Sequence, residues 1–321
     1  NYNLYGTNDI KYIIKNTAYS LDGYAGYKVG QALVQENGGG TVNILNSGTI
    51  DFRGYNSIGQ YIFLYSHNPN NSNLQNEGEI LISGHGSYGM KYAANGTSST
   101  VLATNVLNTG TIALRKNPGT RADGVTSGTD KADQSAAMAL MEDSNVAAKV
   151  YLAKGRVVNQ GIINIQDNVE DSSGMYINVV NSNVINEKTI NVKAEVEDVV
   201  SGSQPLNVGM RADQGTTIVN GSGNTEAINR GDIEVQGKHN IGMLANKSNA
   251  TGTAQAINES TKTINISSGS FLSGIDSLNG GNLENNGKIN IASTATNSIG
   301  LYVENGSTGT GTGTGDITID G

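Results

Sequence analysis

The feature that most constrains this chain is a short motif that returns nine times along it: Asn, any residue, Gly, any residue, Ile, any residue, then an apolar residue. It reads NSGTIDF from Asn46, NEGEILI from Asn76, NTGTIAL from Asn108, NQGIINI from Asn159, NRGDIEV from Asn229 and NNGKINI from Asn285. Three looser copies complete the series. NEKTINV from Asn186 puts Lys188 in the Gly position, NESTKTINI from Asn258 carries two extra residues, and GTGDITI from Gly313 replaces the Asn. A second motif follows each first one: Ser or Asn, any residue, Gly, then Met or Leu, as at Met90, Met175, Met210, Met243 and Leu301. With Met138 in SAAMAL, five of the six methionines occupy this one slot. A third apolar piece, such as Val184-Ile185, Ala227-Ile228 or Ala256-Ile257, precedes the next Asn.

Each unit therefore holds three short strands and three turns. In Ile80-Leu81-Ile82, Ile163-Asn164-Ile165 and Ile233-Glu234-Val235 the first and third side chains share one side of a strand and face inward. Motif isoleucines recur at about 25 to 30 residues, with longer intervals where loops are inserted. No segment sustains a helical period. Three strands per coil, stacked in register through about ten coils, predict an all-β chain folded as a right-handed parallel β-helix, a solenoid roughly 50 Å long. Hydrophobic residues make up only 36% and Gly numbers 43, so the core is slender and turns are many. Gly and Asn are expected here because tight turns need left-handed backbone, and stacked Asn side chains can hydrogen-bond from coil to coil. Pro69, Pro118 and Pro205 fall outside the motifs and mark loops.

Residues 46–321 read as the regular solenoid and residues 1–45 as irregular or early coils. Two long loops, 115–134 and 193–206, leave one corner of the rod at coils separated by a single other coil, so their bases are expected about 10 Å apart. One carries Arg115, Lys116, Arg121 and Lys131; the other carries Glu195, Glu197 and Asp198. Loops on one face of a repeat rod often form its binding face, which makes these seven residues the candidate recognition surface. Eleven of the 14 tyrosines lie in the first 92 residues, and Tyr12, Tyr19, Tyr24 and Tyr27 form a candidate aromatic patch for sugars or proteins.

Other chemistry is weakly represented. A net charge of −8 without a run of like charges lacks the footprint of a nucleic-acid binder. There is no Cys, the three His stand apart, and no phosphate loop or nucleophile elbow occurs, so no metal site, cofactor or catalytic residue is expected. The outward residues of the motif strands are Asp51, Leu81, Ala113, Asn164, Asn191, Glu234, Asn265, Asn290 and Thr318, a row without the convergent acid pair that glycoside chemistry needs. Arg230-Gly231-Asp232 spells a tripeptide that integrins read in exposed loops, but the repeat already accounts for Gly231 and Asp232.

Taken together, serial NxGxI and SxGM motifs, Asn and Gly richness and the missing cysteines resemble the passenger domains of Gram-negative autotransporters of type V secretion, most closely the large fusobacterial adhesins. The resemblance runs from about Asn46 to Ile319 and more loosely over the first 45 residues. It implies a cell-surface adhesin segment, tethered to the bacterial outer membrane through a barrel that this sequence does not contain. The implied partners are a host-cell protein receptor, a host glycan or another bacterial surface, met by a monomeric rod that does not itself span the membrane. The alternatives are a polysaccharide-acting β-helix enzyme, a lyase or glycosidase, and a purely structural spacer.

Overall fold

The computed structural model describes residues 10–12, 29–35, 43–52, 56–64, 73–94, 105–116, 134–142, 156–179, 182–195, 206–213, 223–247, 252–304, 306–310 and 315–320. These residues form strands and turns only, wound as a right-handed parallel β-helix with three strands per coil. The first sheet stacks ten strands from Ile10–Tyr12 to Thr308–Thr310. The second runs from Thr49–Phe52 to Asp316–Ile319, with the short strand Ala295–Thr296 set beside Thr263–Ser270. A third sheet of nine strands runs from Val29–Gln35 to Ile299–Val303. Each strand pairs with its equivalent in the neighbouring coils, so the sheets extend along the rod while the chain winds around it.

The motif positions become columns. Ile50, Ile80, Ile112, Ile163, Ile190, Ile233, Ile264 and Ile289 stand in continuous register in the second sheet, and each is at most 1% exposed. Opposite them Met90, Met138, Met175, Met210 and Met243 form a register column in the third sheet, all fully buried. Each large side chain removed from water contributes about 1.5 to 3 kcal/mol, and these two columns supply such residues coil after coil. The methionine slot continues as Ile275 and Leu301 at one end and as Gln60 and Gln31 at the other. There the core turns polar: Gln60 Nε2 donates to Gln31 Oε1 at 2.6 Å and to the Gln75 carbonyl at 3.1 Å.

Asn46, Asn76, Asn108, Asn159, Asn186, Asn229, Asn258 and Asn285 form a third column, buried to 3% exposure or less. Each Nδ2 donates to the Oδ1 of the next at 2.8 to 2.9 Å, seven bonds all pointing the same way along the rod. A second polar column lies at the turn into the third sheet. The backbone N–H groups of Ser57, Ser87, Ser135 and Ser172 donate in turn to Ser87 Oγ, Ser135 Oγ, Ser172 Oγ and Asn207 Oδ1, at 2.9 to 3.1 Å. The Asn of the first motif and the Ser or Asn of the second are thus buried structural residues. They satisfy turn backbone that the apolar interior leaves without water.

The motif glycines are there for a different reason from the expected left-handed backbone. Positive φ is found at corner residues such as Asn56, Gly86, Gln134, Asp171, His239, Phe271 and Asn297, but at none of Gly78, Gly110, Gly161 and Gly231. What those four lack is room: a Cβ on Gly110 would lie 2.0 Å from the Gly78 carbonyl oxygen, and one on Gly161 would lie 2.1 Å from that of Gly110. Coil spacing, rather than turn conformation, selects glycine. Lys188 demonstrates the cost, because the bond across that step, Thr189 N–H to the Gly161 carbonyl, lengthens to 3.3 Å, against 2.9 Å at the three preceding coils.

Candidate functional site

On the outer face of the third sheet, four consecutive coils enclose a cleft of about 360 Å³. Two rows of outward positions build it. One row runs Ile58, Tyr88, Ala136, Ser173, Val208, Ile241 in register, and the other runs Tyr61, Lys91, Ala139, Tyr176, Arg211, Leu244. Tyr88 walls one side of the cleft and Tyr176 the other, on strands two coils apart, or about 10 Å. Between them the floor is Ala136 with Ser135 and Ser173. The gap exists because the row drops from Tyr88 to the small side chains of Ala136 and Ser173 over two coils before Val208 and Ile241 resume it.

Arg211 and Asp213, two residues apart on one strand, point outward together. Arg211 Nε donates to Asp213 Oδ1 and the guanidinium Nη2 lies beside Asp213 Oδ2, both at 2.9 Å, a two-pronged pair. The Tyr176 hydroxyl donates to Asp213 Oδ2 at 3.3 Å, and the guanidinium carbon lies 5.9 Å from the centre of the Tyr176 ring. Tyr176, Arg211 and Asp213 therefore hold one another in place. Burial, reinforced by Asp213, drives the Tyr176 phenol far above the ordinary tyrosine range; burial also raises Tyr88. Burial alone would lower Arg211, but the Asp213 hydrogen bond and charge outweigh it and hold the guanidinium protonated. Lys91 Nζ lies 4.5 Å from the Tyr88 ring centre, a cation over an aromatic face.

The feet of both long loops reach the rim. Gln134, where the first loop rejoins the third sheet, lines the cleft, and the Leu206 N–H at the end of the second donates to Asp171 Oδ1 at 3.0 Å. Asp171 lines the cleft as well. Of the sequence-derived candidates, Arg121, Lys131, Glu197 and Asp198 lie outside the described residues, as do Tyr19, Tyr24 and Tyr27. Arg115 turns away from the acidic loop, its Nη2 lying 2.8 Å from Asp51 Oδ1 two coils back and its Nε donating to Ser83 Oγ. Lys116 and Glu195 are exposed, Glu195 sitting in a parallel bridge with Lys238. Tyr12 pairs in register with Asn46, at the head of the asparagine column. Within the tripeptide, Arg230 is held by Glu259 at 2.8 Å and Gly231 sits against the Lys188 backbone. Among the described residues, no group of three His, Cys, Asp or Glu has the geometry to hold a metal ion.

Further along the same face lies an apolar patch, Val208, Ile241 and Leu244, next to a buried acid. Asp276 pairs in register with Leu244, is 9% exposed, and accepts a hydrogen bond from the Ser273 hydroxyl. Burial pushes its carboxyl up to about 6, against the downward pull of that hydrogen bond. The folded state therefore keeps this proton to a higher pH than the unfolded chain does. Stability is greatest below the ordinary carboxylate range and is lost as pH rises through about 6. Across that window urea unfolding is expected to weaken by about 2 to 3 kcal/mol, and Asp276→Asn to abolish this component. An unchanged pH profile in the variant would refute the assignment.

Residues 68–223 match a family model, that of the BigA third pectate lyase-like domain. The matched stretch is just under half of the 321 residues, and every residue lining the cleft falls inside it. No curated protein and no solved structure matches the chain.

Proposed function

We propose that this chain is a rod-forming segment of a bacterial surface adhesin and that it makes its attachment at the cleft between Tyr88 and Tyr176. The observation that carries this reading is the gap at Ala136 and Ser173, two small side chains between Tyr88 and Val208 in one row, which opens a walled space beside a preorganised Arg211–Asp213 pair. The match to a pectate lyase-like domain of BigA supports a surface β-helix. In this reading the two long loops, whose feet meet the rim, extend the same surface.

The pectate lyase-like description also keeps a polysaccharide-acting enzyme in view. The chemistry of the cleft favours binding. A base that abstracts a proton must offer a free lone pair; Arg211 is held protonated, Tyr176 is held as a neutral phenol, and the two lining carboxylates are already engaged, Asp213 by Arg211 and the Tyr176 hydroxyl and Asp171 by the Leu206 N–H. Turnover of acidic or neutral polysaccharide that disappears in Asp213→Asn would overturn this preference.

The test compares attachment of the labelled chain to epithelial cells, immune cells and partner bacteria. Ala136→Leu is expected to weaken attachment on the order of tenfold, because it fills the space that a partner group would occupy. The scaffold accommodates the larger side chain, since Ile58, Val208 and Ile241 occupy the same row. Undiminished attachment by Ala136→Leu, together with loss on shortening loops 115–134 and 193–206, would move recognition to the loops. Failure of the unaltered chain to attach to any of these surfaces would favour the spacer.

A further inference from the structure

We infer that the cleft seats the end unit of an uncharged saccharide chain whose remaining units cross the Tyr176 wall and run along the rod axis; this deepens the reading of the cleft as the attachment site and rests on it. The walls are two phenol rings, and sugar rings present C–H faces that pack on aromatic faces while their hydroxyls stay hydrogen-bonded. The floor is made by the small side chains of Ser135, Ala136 and Ser173, and Met141 on the same coil adds an apolar surface on which a sugar ring can rest. Around this slot donors and acceptors alternate: the guanidinium N–H groups that Asp213 leaves unused, the carboxylates of Asp213 and Asp171, the Gln134 amide and the Ser173 hydroxyl. Hydroxyl groups both donate and accept, and such a mixture suits them. A carboxylate accepts only.

Charge selects in the same direction. Among the described residues lining the cleft the cation is Arg211, already engaged by Asp213 through both prongs, while Asp171 at the rim offsets Lys91 over the Tyr88 ring. A uronate or sialylated sugar would have to compete with Asp213 for the guanidinium. An uncharged sugar would not.

A second platform on the same corner sets the direction of the chain. Asp171 at the rim, His239 and Phe271 all have positive φ at the turn into the third sheet, with values of 49°, 56° and 55°. His239 and Phe271 stack with ring centres 5.2 Å apart and planes 8° from parallel, and Phe271 is 51% exposed. A bulky aromatic held in left-handed backbone costs on the order of 1 to 3 kcal/mol, and nothing in the coil requires it, since Asn serves at Asn56 and Asn297. From Asp171 to Phe271 is three coils, roughly 14 Å along the axis. An oligosaccharide of several units seated between the tyrosines and running along the rod reaches the exposed ring.

Calorimetric titration of the purified chain tests this with hexasaccharides of glucose, galactose, mannose and N-acetylglucosamine, their disaccharides, and hexagalacturonate. At least one neutral hexasaccharide is expected to bind and hexagalacturonate not to. Ala136→Leu and Tyr176→Ala are expected to weaken the neutral ligand on the order of tenfold or more. Phe271→Asn, a residue this corner accepts without added strain, is expected to weaken the hexasaccharide and leave the disaccharide unchanged. Asp213→Asn frees the Arg211 charge and is expected to move preference toward hexagalacturonate. Circular dichroism of each variant separates lost binding from lost fold. Absence of binding by every neutral sugar, tighter binding of hexagalacturonate by the unaltered chain, or indifference to Ala136→Leu would each overturn the inference. If no sugar binds while Ala136→Leu still abolishes attachment to cells, the cleft remains the attachment site and only its saccharide is wrong. If Ala136→Leu leaves attachment to cells intact, the attachment reading itself falls.

Discussion

Replacing Asn159 with leucine is expected to destabilise the rod by about 3 to 5 kcal/mol, although the two side chains have similar volume and no cavity is made. Asn159 accepts from Asn108 Nδ2 at 2.8 Å and donates to Asn186 Oδ1 at 2.9 Å. It also donates to the carbonyls of Gly161 and Thr189, each at 3.2 Å, and its Oδ1 accepts the Gly161 N–H at 3.3 Å. Leucine takes the partner from one N–H of the Asn108 amide, one lone pair of Asn186 Oδ1 and the Gly161 N–H, all buried, and each such loss costs roughly 1 to 3 kcal/mol. Because every amide in the column donates in one direction, the bonds polarise one another and the break is felt beyond its own coil. The urea midpoint should fall with the slope of the transition unchanged. A loss under about 1 kcal/mol would mean that the column is ornamental.

Gly110→Ala is expected to cost about 3 kcal/mol for a purely steric reason. The new Cβ would sit 2.0 Å from the Gly78 carbonyl oxygen and 2.7 Å from both the carbonyl carbon and the oxygen of Glu77, all backbone atoms that no rotamer change can move aside. Two coils would have to separate, stretching the ladder that joins them. Lys188 has made this substitution naturally at another coil, where the bond beneath it has opened to 3.3 Å. Lys188→Gly should therefore gain part of what Gly110→Ala loses, and amide exchange at Thr189 should slow. Exchange at Thr189 unchanged by Lys188→Gly would refute the spacing argument.

The scaffold was legible because its residues repeat. Asn46, Ile50 and Met90 belong to columns in which the same side chain recurs coil after coil, and recurrence at a fixed spacing is what a single sequence displays best. The reason for the glycines was misread, since left-handed turns and crowded coil contacts select the same residue and only the backbone dihedrals separate them. Recognition is written in departures from the repeat. Ala136 and Ser173 matter because they are small between Tyr88 and Val208, and no pattern search rewards the absence of a side chain. Down the second sheet the outward positions, Asp51 to Thr318, offer nothing convergent. The residues following each methionine, Lys91, Ala139, Tyr176, Arg211 and Leu244, would have led to the right face. The loop residues Arg115 and Glu195 belong to the same corner but do not meet, because Arg115 bonds backwards to Asp51.

Since the hydrogen bonds between coils lie along the rod, a pull on its two ends loads them one coil after another rather than all at once. Each coil that peels away would release about 25 to 30 residues, or roughly 80 to 110 Å of chain, from a segment that had occupied about 4.8 Å of rod. The coils carrying the long insertions would pay out more. A surface held by such a rod would be let out in steps under load, with tension limited at every step by the strength of a single coil.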